Sequence, residues 1–277
     1  MESFLRIVLS ILGGYALVAL ALFIFQEKML FHPQVARNFE PKQFPTNIEK
    51  IYLDVAPNIK LQGVKSKEVT KDAPILFAFG GNAHNITAFI SYMADLLPHV
   101  NVMAFNYRGF GESEGRPKAA DILADAKYIH KWLCAEYPDA PVYLMGVSMG
   151  TGPATLLASA NKAKGLILAM PYDDLADLGV EKYPWLPVQH LFRNHMKPLD
   201  WAPKVKIPTA IVVAGNDQLI KNERSRRLAD ALPNVIDYHT LSGVGHVELL
   251  SDPRLNTWLP QAFQKLHTFK NTHKTAE

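Results

Sequence analysis

Val142-Tyr143-Leu144-Met145-Gly146-Val147-Ser148-Met149-Gly150-Thr151-Gly152-Pro153-Ala154 is the stretch on which the reading of this chain turns. Residues Val142–Val147 form an unbroken apolar run, the pattern of a strand buried on both faces of a parallel sheet. Residues Ala154–Ala160 read as helix. Between them stands Gly-x-Ser-x-Gly at positions 146–150. A serine on a tight strand-to-helix turn has a strained backbone and close neighbours, so residues without bulky side chains must flank it. The helix that follows points free N–H groups at the turn and favours negative charge developing there. A plain glycine-rich turn is the simpler reading of five residues, and the strand before and helix after argue against it. Pro153 removes a hydrogen bond early in the helix and predicts a small kink.

The same alternation extends to both sides. Ile48–Val55 and Ile59–Val64 flank Pro57-Asn58 and suggest an antiparallel hairpin. Further buried strands are expected at Pro74–Phe79, Gly165–Met170 and Thr209–Ala214, and strands also at Val100–Asn106 and Val235–Leu241, with helices at Asn85–Leu97, Lys118–Tyr137 and Leu255–Leu266. Pro117 stands near the start of the middle helix, where proline suits a first turn. Alternating strands and helices require a mostly parallel sheet with helices on both faces. The fold class is α/β.

In such sheets, ligands bind beyond the carboxyl ends of the strands. A serine hydroxyl needs a base, and His246, in Ser242-Gly243-Val244-Gly245-His246 after the last strand, is the best candidate. Asp217 ends the strand Thr209–Ala214 and can accept a hydrogen bond from the imidazole; its plainer role is a turn former. Asp173 and Asp174 are rival acids. Phe79-Gly80-Gly81-Asn82 closes the first parallel strand. Acyl transfer needs two N–H donors for an oxyanion; Met149 and Asn82 are the expected pair, although the second turn also reads as an ordinary one.

Taken together, these residues resemble the alpha/beta-hydrolase family, and within it the membrane-anchored, serine aminopeptidase-like branch. Asn106-Tyr107-Arg108-Gly109-Phe110-Gly111-Glu112-Ser113-Glu114-Gly115 is similar to that branch's loop after the fourth strand, and Gln26-Glu27-Lys28-Met29-Leu30-Phe31-His32-Pro33 to its members just past the anchor. The resemblance implies Ser148 as nucleophile, Asp217 as acid and His246 as base. It also shows a departure: the branch has histidine before the glycine of the oxyanion loop, whereas this chain has Gly80 there and a histidine later, at His84. Between Pro171 and Pro208 there is room for only a short cap. Its Tyr183-Pro184-Trp185-Leu186-Pro187 either lines an apolar acyl pocket or packs the sheet edge.

From Ile7 to Phe25 no side chain is charged. At about 1.5 Å per residue, such a helix nearly matches a hydrocarbon core of roughly 30 Å. A single-pass anchor is the preferred reading. Ala19-Leu20-Ala21 also fits a signal-cleavage site, and a buried core helix is the third reading. Arg6 precedes the segment while Lys28, Arg37 and Lys42 follow it, so charge leaves the side of the membrane open. The expected organisation is an anchor over 1–30, an alpha/beta-hydrolase domain over 31–270 and a loose tail over 271–277.

The chain of 277 residues is 48% hydrophobic and 20% charged, an ordinary globular composition that excludes a disordered or collagen-like protein. Its 29 Lys and Arg against 26 Asp and Glu give no basis for a nucleic-acid partner. The single cysteine, Cys134, excludes an intrachain disulfide and a cysteine-based metal cluster. No metal or cofactor is expected. The function these features imply is a membrane-anchored serine hydrolase acting on a carboxylic ester or a lipid-derived acyl group. A peptidase of the same fold and a catalytically silent binding protein are the alternatives.

Overall fold

The computed structural model describes residues 1–38, 41–67, 70–160 and 162–269. Eight strands form one sheet: β1 Ile48–Ala56, β2 Ile59–Ser66, β3 Ile75–Phe79, β4 Asn101–Phe105, β5 Val142–Val147, β6 Gly165–Ala169, β7 Thr209–Ala214 and β8 Val235–Leu241. Their order is β1-β2-β4-β3-β5-β6-β7-β8. The β1–β2 hairpin is antiparallel, as is β2 against β4, and every later pairing is parallel. Asn58 makes the hairpin turn with a φ of 58°, a left-handed conformation that asparagine tolerates.

Every residue of β3 to β7 is buried, because side chains alternate between two covered faces. In β3, Leu76 and Ala78 join one core with Ile90 and Met93 from the helix Ile86–Leu96 and Leu259 from the helix Pro253–Thr268. Ile75, Phe77 and Phe79 join the opposite core with Ile129 and Leu133 from the helix Ala119–Glu136. Truncating the fully buried Phe77 to alanine would cost about 3–5 kcal/mol.

One local expectation changes. The helix after β5 begins at Thr151 rather than Ala154, directly behind a 3-10 turn at Ser148–Gly150. Pro153 therefore falls in the first helical turn, where backbone donors have no intrahelical partner to lose. The apolar N-terminal segment continues as one helix, Glu2–Leu30, through Gln26-Glu27-Lys28. The proline-rich stretch beyond it contains a short helix, Pro33–Asn38. Phe31 and Ala36 from this region pack with Met149 and Tyr172, beside the turn that carries Ser148. The tail expected at 271–277 lies outside the described residues.

The segment between β6 and β7 is a compact cap of short helices, Leu175–Lys182, Val188–Leu191 and Pro198–Trp201. The N-terminal helix lies along it. Gln26 is buried there: its side chain donates to the Leu191 carbonyl at 3.2 Å and accepts from the Arg193 N–H at 2.7 Å. Arg193 also stacks over Phe23, 4.6 Å from the ring centroid, and the Tyr15 hydroxyl donates to the Trp185 carbonyl at 3.1 Å.

Candidate active site

Ser148 sits between β5 and its helix with a φ of 51°. A non-glycine residue held there costs about 1–3 kcal/mol and needs a tight surrounding to keep it. The flanking glycines provide that surrounding. A Cβ on Gly146 would lie 2.6 Å from the Gly150 carbonyl oxygen, and one on Gly150 would lie 2.2 Å from that of Phe79. The turn is thereby pressed against the end of β3.

Three side chains distant in sequence meet at this turn. His246 Nε2 lies 2.9 Å from Ser148 Oγ, and His246 Nδ1 lies 2.7 Å from Asp217 Oδ2. The other carboxylate oxygen of Asp217 accepts from the N–H groups of Leu219 and Ile220 at 2.9 and 2.8 Å. Those two bonds fix the carboxylate plane, so its free oxygen is aimed at the imidazole. In this arrangement a proton can pass from the hydroxyl to the ring while the buried carboxylate stabilises the resulting cation.

The rival acids are engaged elsewhere. Asp173 is buried between Arg224 and Arg227, with contacts of 2.7 and 2.6 Å. Asp174 caps the first cap helix by accepting from the Ala176 N–H. Both are structural.

Met149 and Asn82 line the same cavity as Ser148. Asn82 is tied to the end of the N-terminal helix in both directions: its side-chain amide donates to the Leu30 carbonyl at 3.0 Å, and its own carbonyl accepts from the His32 N–H at 2.9 Å. Tyr107 steadies the same loop two residues earlier by donating to the Gly80 carbonyl at 2.7 Å. His84 folds back over this loop. Its Cβ lies 3.0 Å from where a Gly80 side chain would begin, so the displaced histidine occupies the space that a larger residue at 80 would need. The His84 Nδ1 is sealed from solvent without a hydrogen-bond partner. Burial, and then the neighbouring His246, lower its pKa to about 4, so the ring is neutral at physiological pH. The sequence shows the displacement of this histidine but carries no signal for its burial.

The cavity has a volume of about 580 Å³. Its floor is Ser148, Met149 and Tyr172, and its walls include Leu175, Leu178, Tyr183, Leu186 and Val188 from the cap. Of the two readings of the cap, the structure favours the pocket: Tyr183 and Leu186 line it, while Trp185 turns outward and packs edge-on against Tyr15. The facing wall comes from the N-terminal helix, a contribution that the apolar run hid because it looked uniform. Among the described residues, no group of three or more His, Cys, Asp or Glu side chains could hold a metal ion.

A strand–turn–helix serine at the centre of a mostly parallel eight-stranded sheet, with acid and histidine after β7 and β8, decides the architecture. This is the alpha/beta-hydrolase fold. A family model described as alpha/beta hydrolase fold matches residues 74–194, from β3 through much of the cap. Among curated proteins, an uncharacterized protein of Mycobacterium tuberculosis is 32% identical over 158 residues, covering 56% of this chain and 55% of its own. The lysophosphatidylserine lipase ABHD12 of Gallus gallus is 28% identical over 159 residues, 53% of this chain and 40% of that one. The match thus spans about half or less of these relatives. Among solved structures, the chain resembles a Pyrococcus furiosus esterase (TM-score 0.62, 19% identity, 79% of this chain and 91% of that one). It also resembles a bacterial membrane phospholipase A (TM-score 0.63, 15% identity, 97% of this chain and 100% of that one).

Proposed function

We propose that this protein is a membrane-anchored serine hydrolase that cleaves a carboxylic ester, with a lipid-derived acyl group as the favoured substrate. The observation that carries the reading is the hydrogen-bonded line from Ser148 through His246 to an Asp217 carboxylate held by two backbone donors. Ser148 Oγ attacks the acyl carbon as its proton passes to His246 Nε2. The N–H groups of Met149 and Asn82 hold the carbonyl oxygen as it gains negative charge. Collapse breaks the bond to the leaving alcohol, which takes the proton from His246. Water then attacks the acyl-enzyme with His246 as base, releasing the acid and restoring Ser148.

The cavity supports an acyl substrate over a peptide. Its lining is largely apolar, and its one acidic residue among those described, Glu181, is held by Arg224 at 2.7 Å and Lys221 at 3.3 Å. An aminopeptidase needs a carboxylate free to bind the substrate's α-amino group. The likeness to ABHD12 and the apolar N-terminal helix also support the lipid reading and a single-pass membrane location. The serine aminopeptidase-like branch rests on the resemblance of the motifs alone.

A panel of p-nitrophenyl esters of graded chain length beside aminoacyl-p-nitroanilides tests this reading. The expected result is ester turnover that exceeds anilide turnover and falls by about 10³-fold or more in Ser148→Ala. Anilide turnover above ester turnover would reverse the substrate class. Ester turnover surviving in Ser148→Ala would remove the mechanism.

A further inference from the structure

The N-terminal helix is more than a tether. Ala19, Leu22, Phe23, Gln26 and Leu30 all line the cavity that holds Ser148. Their spacing of three, four, seven and eleven residues places them on one helical stripe. That stripe is the side turned to the cap, where Ala19, Leu22 and Phe23 are half-buried while Leu20, Ile24 and Phe25 point outward and are exposed. Gln26 is the polar residue of the stripe. Its bonds to Leu191 and Arg193 pin the helix in register against the cap.

The position of this wall along the helix is informative. Tyr15 touches the cap through Trp185, so the span from Tyr15 to Leu30 runs beside the catalytic body while the first turns project beyond it. The uncharged run is Ile7–Phe25. If that run occupies hydrocarbon, the cap edge lies at the depth of the run's second half. Trp185, 52% exposed and in contact with Tyr15, stands at that edge, and aromatic residues of this kind favour the membrane–water boundary.

We propose that the N-terminal helix is one wall of the acyl-chain site, and that the acyl chain of a membrane lipid enters between this helix and the cap directly from the bilayer. The inference rests on the hydrolase reading above. The acyl chain then lies against Ala19, Leu22 and Phe23, with its carbonyl at Ser148. The chain moves from lipid to an apolar cavity without crossing water, so the step requires no costly exposure of its methylenes. Leu22 and Ala19 are specificity-determining residues for chain length.

The test uses the full chain in detergent micelles. The ratio of kcat/KM for p-nitrophenyl decanoate to that for p-nitrophenyl acetate is measured for wild type, Leu22→Trp, Ala19→Phe and Ile24→Trp. Filling the site from the helix side should lower the ratio at least tenfold in Leu22→Trp and in Ala19→Phe, as loss of methylene-sized space in a hydrophobic pocket does. Ile24→Trp, on the outward face, should match wild type. Ala19→Phe carries the test if Leu22→Trp does not fold. Unchanged ratios in the folded wall variants, with Ser148-dependent acetate turnover intact, would overturn the inference. Absence of Ser148-dependent turnover in wild type would instead overturn the hydrolase reading beneath it.

Discussion

Ser148, Asp217 and His246 stand out in the sequence because each lies just beyond the carboxyl end of a strand, the place where this architecture collects ligands, and the folded chain brings their side chains within hydrogen-bonding reach. The sequence prefers Asp217 over Asp173 but offers no physical ground to set Asp173 aside. Both follow buried strands, and only the folded chain shows that Arg224 and Arg227, more than fifty residues on, neutralise Asp173. His84 was harder still, since its environment comes from Gly80, Phe89 and the catalytic turn. That environment makes a prediction at this scale. With a folded-state pKa near 4 against 6.5 in the unfolded chain, the unfolded state binds more protons between those values. The contribution of His84 to stability is therefore fully present above about pH 6.5 and is lost as pH drops towards 4. His130, also lowered by burial, adds a change of the same sign. His84→Phe should lose less thermal midpoint between pH 7 and pH 5 than wild type does. Equal losses would show that His84 carries no such linkage.

At the scale of elements, strand identity was readable wherever a strand is buried on both faces. β5, β7 and β8 match their expected bounds, and β3, β4 and β6 shift by one residue at one or both ends. The helix after the Ser148 turn starts earlier than its sequence suggests, because Gly150-Thr151-Gly152-Pro153 looks like a turn by composition. The fold overrides that appearance by placing a 3-10 turn ahead of the helix. The Met149 carbonyl, four residues before Pro153, already accepts from the Thr151 N–H, and the Tyr172 hydroxyl lies 3.4 Å away. Two substitutions separate these roles. Pro153→Ala should change stability by no more than about 0.5 kcal/mol. Gly150→Ala would drive a Cβ into the backbone oxygens of Phe79 and Gly80 and should cost about 1–3 kcal/mol or more, with loss of turnover. Thermal midpoints and ester assays of the two proteins check the contrast. A larger effect from Pro153→Ala would contradict it.

At the scale of the whole molecule, the N-terminal helix is joined to the sheet-and-cap body at several points. The helix end is bonded to Asn82, its stripe faces the cavity, and Phe31 just past it packs beside Met149. A uniformly apolar segment shows length and hydrophobicity in sequence, but not which side faces protein. Gln26 is the polar residue on that side, and its meaning depends on Leu191 and Arg193, which the chain supplies much later. The central claim remains that Ser148 is an activated nucleophile. Its most direct test is mass-spectrometric mapping of the full-length protein after treatment with a fluorophosphonate. The account predicts a single phosphonyl adduct on Ser148 at neutral pH, slowed strongly in His246→Ala. A folded protein that takes up no adduct at Ser148, or takes it up as fast without His246, would contradict it.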